Sequence, residues 1–188
     1  MPLRPQTLEL AILGRLVQGP CHGYVLRKHV IAVVGARHSI SYGSLYPALR
    51  RLTERGSICD CGAGLARFVA GRSRRVYHIT EAGQGYLMQE LADTDSANCA
   101  DDDFGVRFSL LGSAEAATRI GILQGRREHS LARLTKLRTS VPADFDRYTT
   151  ELVRYAGEMI SRELEWLDHL IAVEEAADHG VVMIKENK

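Results

Sequence analysis

The segment Ser39–Leu52 predicts an amphipathic helix, and it constrains the fold more than any other part of the chain. Leu45, Leu49 and Leu52 follow one another at helical spacing, so a helix places them on one buried face. The opposite face carries side chains that hydrogen-bond, stack or neutralise phosphate, namely Ser41, Tyr42, Ser44, Arg50 and Arg51. Such a face suits contact with another molecule, although an ordinary solvated helix surface has a similar composition.

Two further helices are predicted before this segment. The first covers about residues 6–17 and stops at Gly19-Pro20, and the second follows His22-Gly23, with His22 as a helix-start residue. The third helix, which contains most of Ser39–Leu52, ends at Gly56. Pro47 fits that third helix if the regular turns begin near Gly43 or Ser44, because proline is tolerated in a first turn.

A β-hairpin and a fourth helix are predicted next. The first strand lies within Ile58–Val69 and the second within Arg75–Ile79, with a basic turn between them. Thr80 is suited to cap the helix that follows. Three helices, a hairpin and another helix describe a winged helix-turn-helix, in which the third helix enters the DNA major groove.

The charge of the chain is unevenly distributed. Residues 1–85 contain twelve Lys and Arg against four Asp and Glu, a net charge of +8, whereas residues 86–188 contain twelve against nineteen, a net charge of −7. A polyanion therefore fits only the N-terminal part. The asymmetry also predicts two domains.

Composition excludes several classes of protein. The 188 residues contain no run near the roughly 20 consecutive apolar residues of a membrane span, so a cytoplasmic location is expected. The four cysteines are expected to be reduced thiols, since 45% hydrophobic residues make disulfide staples unnecessary. No phosphate-binding glycine loop, catalytic triad or carboxylate pair is evident, which argues against an enzyme and against a bound cofactor.

The C-terminal half predicts long helices. Residues 1–92 are assigned to the winged helix-turn-helix domain, 93–104 to an acidic linker, 105–178 to a helical dimerisation or effector domain, and 179–188 to a flexible tail. Helices are expected over about 114–138 and 143–177, as an antiparallel pair. The last helix has a heptad-like apolar seam, which requires a partner helix and favours a homodimer. Its members include Tyr148, Leu152, Tyr155, Met159, Trp166 and Leu170.

Four blocks of sequence in the first 85 residues follow a fixed order. They are Leu8-Glu-Leu-Ala-Ile-Leu-Gly14, His22-Gly-Tyr24 with Leu26-Arg27, Ser41-Tyr-Gly-Ser-Leu-Tyr-Pro-Ala-Leu49, and Arg74-Arg-Val-Tyr77 continuing into Ile79-Thr-Glu-Ala-Gly83. The blocks resemble the successive signatures of PadR-type transcriptional regulators. The resemblance implies a dimeric, ligand-responsive repressor, in which Tyr24, Tyr42, Ser44 and Tyr46 serve in packing or DNA contact. The chain departs from the pattern around residues 59–68, where the hairpin is longer.

The candidate DNA contacts lie on the third helix and on the hairpin. Arg50 and Arg51 are predicted to bind phosphates, and the hairpin arginines Arg72, Arg74 and Arg75 to contact the backbone or the minor groove. The start of the third helix carries Ser41, Tyr42 and Ser44. At that position they either contact bases and read the DNA sequence, or help the helix N-terminus to bind a phosphate. Tyr24 and Tyr46 adjoin apolar positions, which favours core packing with exposed hydroxyls, although Tyr46 stays among the candidate contacts.

Alternatives remain open for the partner and for the signal. The seam residues Tyr148, Tyr155, Met159 and Trp166 suit either a cavity for a small aromatic effector or an interface core without a ligand. A winged-helix module that binds protein rather than DNA has the same pattern. Cys59 and Cys61, with His78 nearby, allow a thiol- or metal-responsive sensor, but a single Cys-x-Cys pair is a weak metal signal.

Overall fold

The computed structural model of the chain describes residues 3–34, 40–60, 75–139 and 146–186. These residues divide into two compact units. The first comprises Met1–Asp93 with Asp101–Gly112, and the second comprises Thr94–Ala100 with Ser113–Lys188. The fold is mainly α-helical with one small sheet, as predicted.

The first unit packs five helices around an apolar core. The helices are α1 (Pro5–Val17), α2 (Gly23–Val34), α3 (Tyr42–Glu54), α4 (Glu81–Ala92) and α5 (Asp101–Ser109), and a short 3-10 helix, Leu111–Ser113, follows α5. All five helices contribute completely buried side chains, which include Ile12, Leu13, Leu26, Leu45, Leu52, Leu87 and Val106. The predicted buried seam of α3 is confirmed, since Leu45, Leu49 and Leu52 are all inaccessible to solvent or nearly so.

A three-stranded antiparallel sheet adjoins these helices. Strand β3 (Val76–Ile79) lies between β1 (Cys21–His22) and β2 (Ile58–Asp60). The register places Asp60 opposite Tyr77 and His22 opposite Val76. The antiparallel pairing of β2 with β3 agrees with the predicted hairpin. The prediction that His22 starts a helix is wrong, because a strand of two residues is too short to produce an alternating pattern.

Local hydrogen bonds set both ends of α3. The Ser41 side chain caps the start and accepts a bond from the Ser44 N–H at 3.2 Å. The helix therefore begins at Tyr42, and Pro47 lies in its second turn rather than its first, contrary to expectation. The end is set by Gly56, whose φ of 72° is a left-handed conformation that glycine adopts without strain.

Helix α4 begins as the sequence predicts. The Thr80 hydroxyl accepts a hydrogen bond from the Gly83 N–H at 3.1 Å. Gly83 is required here, since a Cβ at that position would lie only 2.0 Å from the Ser57 carbonyl oxygen. This close approach lets the helix start pack directly on the turn that follows α3.

Residues 93–104 are ordered by hydrogen bonds and are not the acidic linker that was predicted. The Asp95 carboxylate accepts from the Ala97 N–H at 2.8 Å and starts a 3-10 helix, Ser96–Cys99. Asp103 is buried in α5, where it pairs with Arg4 at 2.5 Å and accepts a bond from Thr7. Composition suggested a solvated run of charge, whereas these aspartates cap a helix and form ion pairs.

The second unit is an antiparallel helical hairpin with the 3-10 helix against it. Helix α6 covers Ala116–Thr139, and α7 covers Arg147–Glu186, which extends through most of the predicted tail. The buried apolar cluster between them contains Leu134 of α6 with Ile160 and Leu164 of α7, and Leu137 packs against it. Three arginines of α6 pair with acids of α7, as Arg119–Glu174, Arg126–Glu163 and Arg127–Asp168. Among the described residues, every helix is too short or too polar to cross a membrane.

Candidate nucleic-acid interface

The exposed face of α3 carries a stack of three planar groups. The Tyr42 and Tyr46 rings lie 5.9 Å apart and 23° from parallel, and the Arg27 guanidinium lies 5.0 Å from the centre of the Tyr42 ring. Arg27 also donates from Nε to the Ile40 carbonyl at 2.7 Å, immediately before the cap of α3. A residue of α2 thus holds both the start of α3 and its first aromatic ring.

The predicted core packing of Tyr24 and Tyr46 is wrong. Tyr24 is 64% exposed and Tyr46 is 51% exposed. The nearby apolar residues Leu26 and Leu45 fill the core instead. Leu26 is two positions from Tyr24 and Leu45 is one position from Tyr46, so in a helix each leucine points in a different direction from its tyrosine. Both rings are therefore available to a partner.

A cleft of about 430 Å³ separates α3 from the strands β2 and β3. Arg50 stands on its helix side and Arg75 on its strand side. Each guanidinium forms a loose ion pair with a carboxylate. Arg50 lies 3.5 Å from Glu54, and Arg75 lies 3.4 Å from Asp60. Exposed pairs of this kind contribute little free energy, so either arginine can exchange its carboxylate for a phosphate.

The wall of this cleft includes a buried phenol. Tyr77 is nearly inaccessible, and burial is the main reason that its pKa is raised above the ordinary value. Its hydroxyl therefore stays protonated at neutral pH and remains a hydrogen-bond donor. The cleft thus presents cationic and neutral donors together.

Arg51 differs from its neighbour Arg50. Its Nε donates to the Glu9 carboxylate of α1 at 2.8 Å, and the pair links the two helices. The sequence predicts phosphate contact for both arginines, but the structure brings only Arg50 to the cleft. Arg51 instead joins α3 to the core of the unit.

The two serines at the start of α3 bond mainly to each other's backbone. Ser44 Oγ donates to the Ser41 carbonyl at 3.0 Å, while Ser41 Oγ accepts from the Ser44 N–H. Both residues are exposed. They hold the helix start in place and leave their remaining hydrogen-bonding capacity facing solvent.

Part of the predicted site lies outside the described residues. Arg72, Arg74 and Cys61 fall in the range 61–74, so their predicted contacts stay predictions. Cys59 pairs in register with His78 across β2 and β3. Within the described part of the chain, no three metal-binding side chains are placed to share an ion.

The predicted dimer seam lies on the outer surface of α7. Tyr148, Leu152, Tyr155, Met159 and Trp166 are exposed, and Leu170 is half-buried. They lie on a different face of α7 from the residues that pack on α6. The cleft of about 650 Å³ between α6 and α7 is lined instead by residues such as Leu137, Gly157 and Arg162. The seam residues therefore do not form a ligand cavity within the described single chain.

Sequence reasoning missed Glu9 and Arg27. Both lie in quoted sequence blocks, yet neither has a local pattern that reveals its partner. Glu9 is the only acidic residue of α1 and lies on an apolar stretch, which is the one signal that could have identified a buried ion pair.

Comparison with known proteins finds similar sequences and structures. Residues 12–89 match the transcriptional regulator PadR-like family. The negative transcriptional regulator PadR of Bacillus subtilis is 25% identical over 189 residues, covering 89% of this chain and 97% of that protein. Its crystal structure in complex with operator DNA has a TM-score of 0.41 at 20% identity, covering 89% of this chain and 98% of that chain. Its complex with p-coumaric acid has a TM-score of 0.38 at 21% identity, with 90% and 99% covered. Residues 12–89 therefore form a domain that is similar to the PadR-like family of transcriptional regulators.

Proposed function

We propose that this regulator binds double-stranded operator DNA through α3 and the β2–β3 hairpin. The observation that carries the proposal is the cleft in which Arg50 and Arg75 face each other beside the exposed tyrosine stack. Phosphate contacts position a protein on the duplex, and side chains of an inserted helix read the bases. In this arrangement the two arginines bind the backbone, while Ser41, Tyr42, Ser44 and Tyr46 face the major groove.

The second unit supplies the partner contact in this proposal. The apolar side chains exposed along α7 are too large and too contiguous for a free surface, which favours burial against a second copy. A homodimer presents two α3 helices to half-sites about 34 Å apart, one helical turn of DNA. The operator is then two-fold symmetric.

Repression and release complete the proposal. A relative that is itself named a negative regulator supports repression as the sign of control. A small aromatic effector that favours a different separation of the two α3 helices would lower operator affinity by population shift. The p-coumaric acid bound by Bacillus subtilis PadR makes that compound the first to test. The expected location is the cytoplasm.

The test is the salt dependence of DNA binding by the purified chain. Fluorescence anisotropy compares a duplex from its own promoter with a random duplex between about 50 and about 300 mM KCl. We expect a preference for the promoter and a linear fall of log affinity with log salt concentration. Replacing Arg50 and Arg75 together by Gln should reduce the magnitude of that slope by about 3.6, since the dimer loses four phosphate contacts and each contributes about 0.9.

The contrary results are equally specific. A chain that binds both duplexes equally, or neither, is not an operator-binding protein. An unchanged slope in the double variant, with unchanged affinity, would favour the protein-interaction module instead. Adding p-coumaric acid to the wild-type complex tests the effector separately.

A further inference from the structure

Glu9 is a buried carboxylate with two arginine partners. It lies on α1 and is only 5% exposed. Arg51 Nε donates to one carboxylate oxygen at 2.8 Å, and Arg55 donates from Nη2 to the other. Burying a carboxylate is costly unless it is paired and hydrogen-bonded, so this acid requires both guanidiniums.

The two arginines are fixed by further contacts. The Arg55 guanidinium lies 5.0 Å from the centre of the Tyr86 ring of α4. Burial lowers the pKa of Arg55, but the hydrogen bonds and charges of Glu9 and Tyr86 together outweigh it and raise the pKa overall. Both side chains remain nearly half exposed. They therefore lie at the domain surface with their charged ends turned inward to Glu9.

Arg50 and Arg51 form a natural contrast. They are adjacent in α3 and chemically identical, but they project about 100° apart around the helix axis. Arg50 is 75% exposed at the side chain and, among the described residues, pairs with Glu54 at 3.5 Å, whereas Arg51 is bonded to Glu9. Three arginines within six residues would otherwise give this end of α3 a strong attraction for any duplex.

We infer that Glu9 is a positioning residue that sets DNA specificity by holding Arg51 and Arg55 away from the phosphate backbone. It fixes the C-terminal end of α3 to α1 and removes two cations from sequence-independent binding. Among the described residues, the proposed phosphate contacts are then those of Arg50 and Arg75, which lie at the cleft. This inference rests on the proposed DNA binding and adds to it a means of limiting non-specific affinity.

The experiment compares single variants of the full chain on the promoter and random duplexes. Arg50→Gln should reduce the magnitude of the salt slope by about 1.8, one contact in each protomer of the dimer, while Arg51→Gln and Arg55→Gln should leave it unchanged. Glu9→Gln frees both arginines in each protomer, so the slope on random duplex should steepen by about 1.8 to 3.6. The ratio of promoter to random affinity should fall in the same variant.

Two results would overturn the inference. One is a slope that falls by about 1.8 in Arg51→Gln or Arg55→Gln, as expected for Arg50→Gln. The other is a folded Glu9→Gln variant with wild-type slope and wild-type specificity. If Glu9→Gln does not fold by circular dichroism, the two arginine variants decide alone. Failure of the proposed function differs from both, because it appears as absent promoter preference in the wild-type chain.

Discussion

Helices α3 and α7 have buried faces of similar composition, but their exposed faces differ in chemical character. Each buries aliphatic side chains at helical spacing, such as Leu49 and Leu52 in α3 and Leu164 and Leu167 in α7. The exposed face of α3 combines hydroxyls, tyrosine rings and a guanidinium. The exposed face of α7 over residues 148–173 is a row of large apolar groups.

The difference shows that function is encoded on the exposed faces of these helices. A buried face needs only apolar volume, so it contains little information about the partner. Hydroxyls, stacked rings and a cation suit a hydrated polyanion, whereas contiguous apolar groups gain free energy only when another protein surface covers them. The same helical periodicity is therefore compatible with both of the interfaces proposed for this chain.

The largest expected effect tests whether the buried faces are equivalent. Leu52→Ala in α3 and Leu167→Ala in α7 should each lower the free energy of unfolding by about 3 kcal/mol, within a usual range of about 2 to 5. Both side chains are completely buried, so each substitution leaves a cavity. Urea denaturation measures the change. Leu131→Ala is the control, because that side chain of α6 is already 37% exposed and its loss should cost below about 1 kcal/mol.

The second prediction concerns the exposed face of α7. Leu152→Glu should convert the proposed dimer to a monomer and weaken operator binding by about 100-fold, because a charge is placed in an apolar interface and the two half-sites lose their connection. Sedimentation equilibrium measures the association and anisotropy measures the affinity. Thr150→Glu is the matched control. It adds the same charge two residues before Leu152, on nearly the opposite side of the helix. A Leu152→Glu variant that still dimerises would show that the two exposed faces do not differ as proposed.

Sequence predicted the faces of α3 because helical geometry repeats. Leu45, Leu49 and Leu52 share one face whatever surrounds them, and Thr80 caps α4 through atoms three residues away. The same reasoning could not separate Arg50 from Arg51, because the partner of Arg51 is 42 positions distant. Nor could sequence reasoning predict that Tyr46 is exposed, since the burial of Tyr46 depends on how far neighbouring side chains fill the core.

Composition misled where hydrogen bonds decide the structure. Residues 93–104 have the polar, acidic character of a linker, yet Asp95 caps a short helix and Asp103 is a buried ion-pair partner. Strand β1 was missed because two residues contain no periodicity, and it exists only through its pairing with β3. For Asp103 and for strand β1, a contact distant in sequence determines the local structure, whereas the Asp95 cap is a local contact that composition does not reveal.

The smallest expected effect separates two roles of Ser41. As the cap of α3, Ser41 accepts the Ser44 N–H, so Ser41→Ala should lower the free energy of unfolding by about 1 kcal/mol. Ser41→Asp should preserve stability to within a few tenths of a kcal/mol, since aspartate also caps and its charge favours a helix start. The same aspartate should weaken operator binding roughly tenfold at low salt, because it repels phosphates.

Urea denaturation and anisotropy on the same two variants distinguish the outcomes. Stable Ser41→Asp protein with weakened DNA binding places the start of α3 beside the phosphates, as the contrast with α7 requires. Undiminished operator affinity in Ser41→Asp would mean that the start of α3 points away from DNA. The polar face would then serve the helix rather than the duplex, and Arg50 with Arg75 would remain as the only described cations assigned to the DNA backbone.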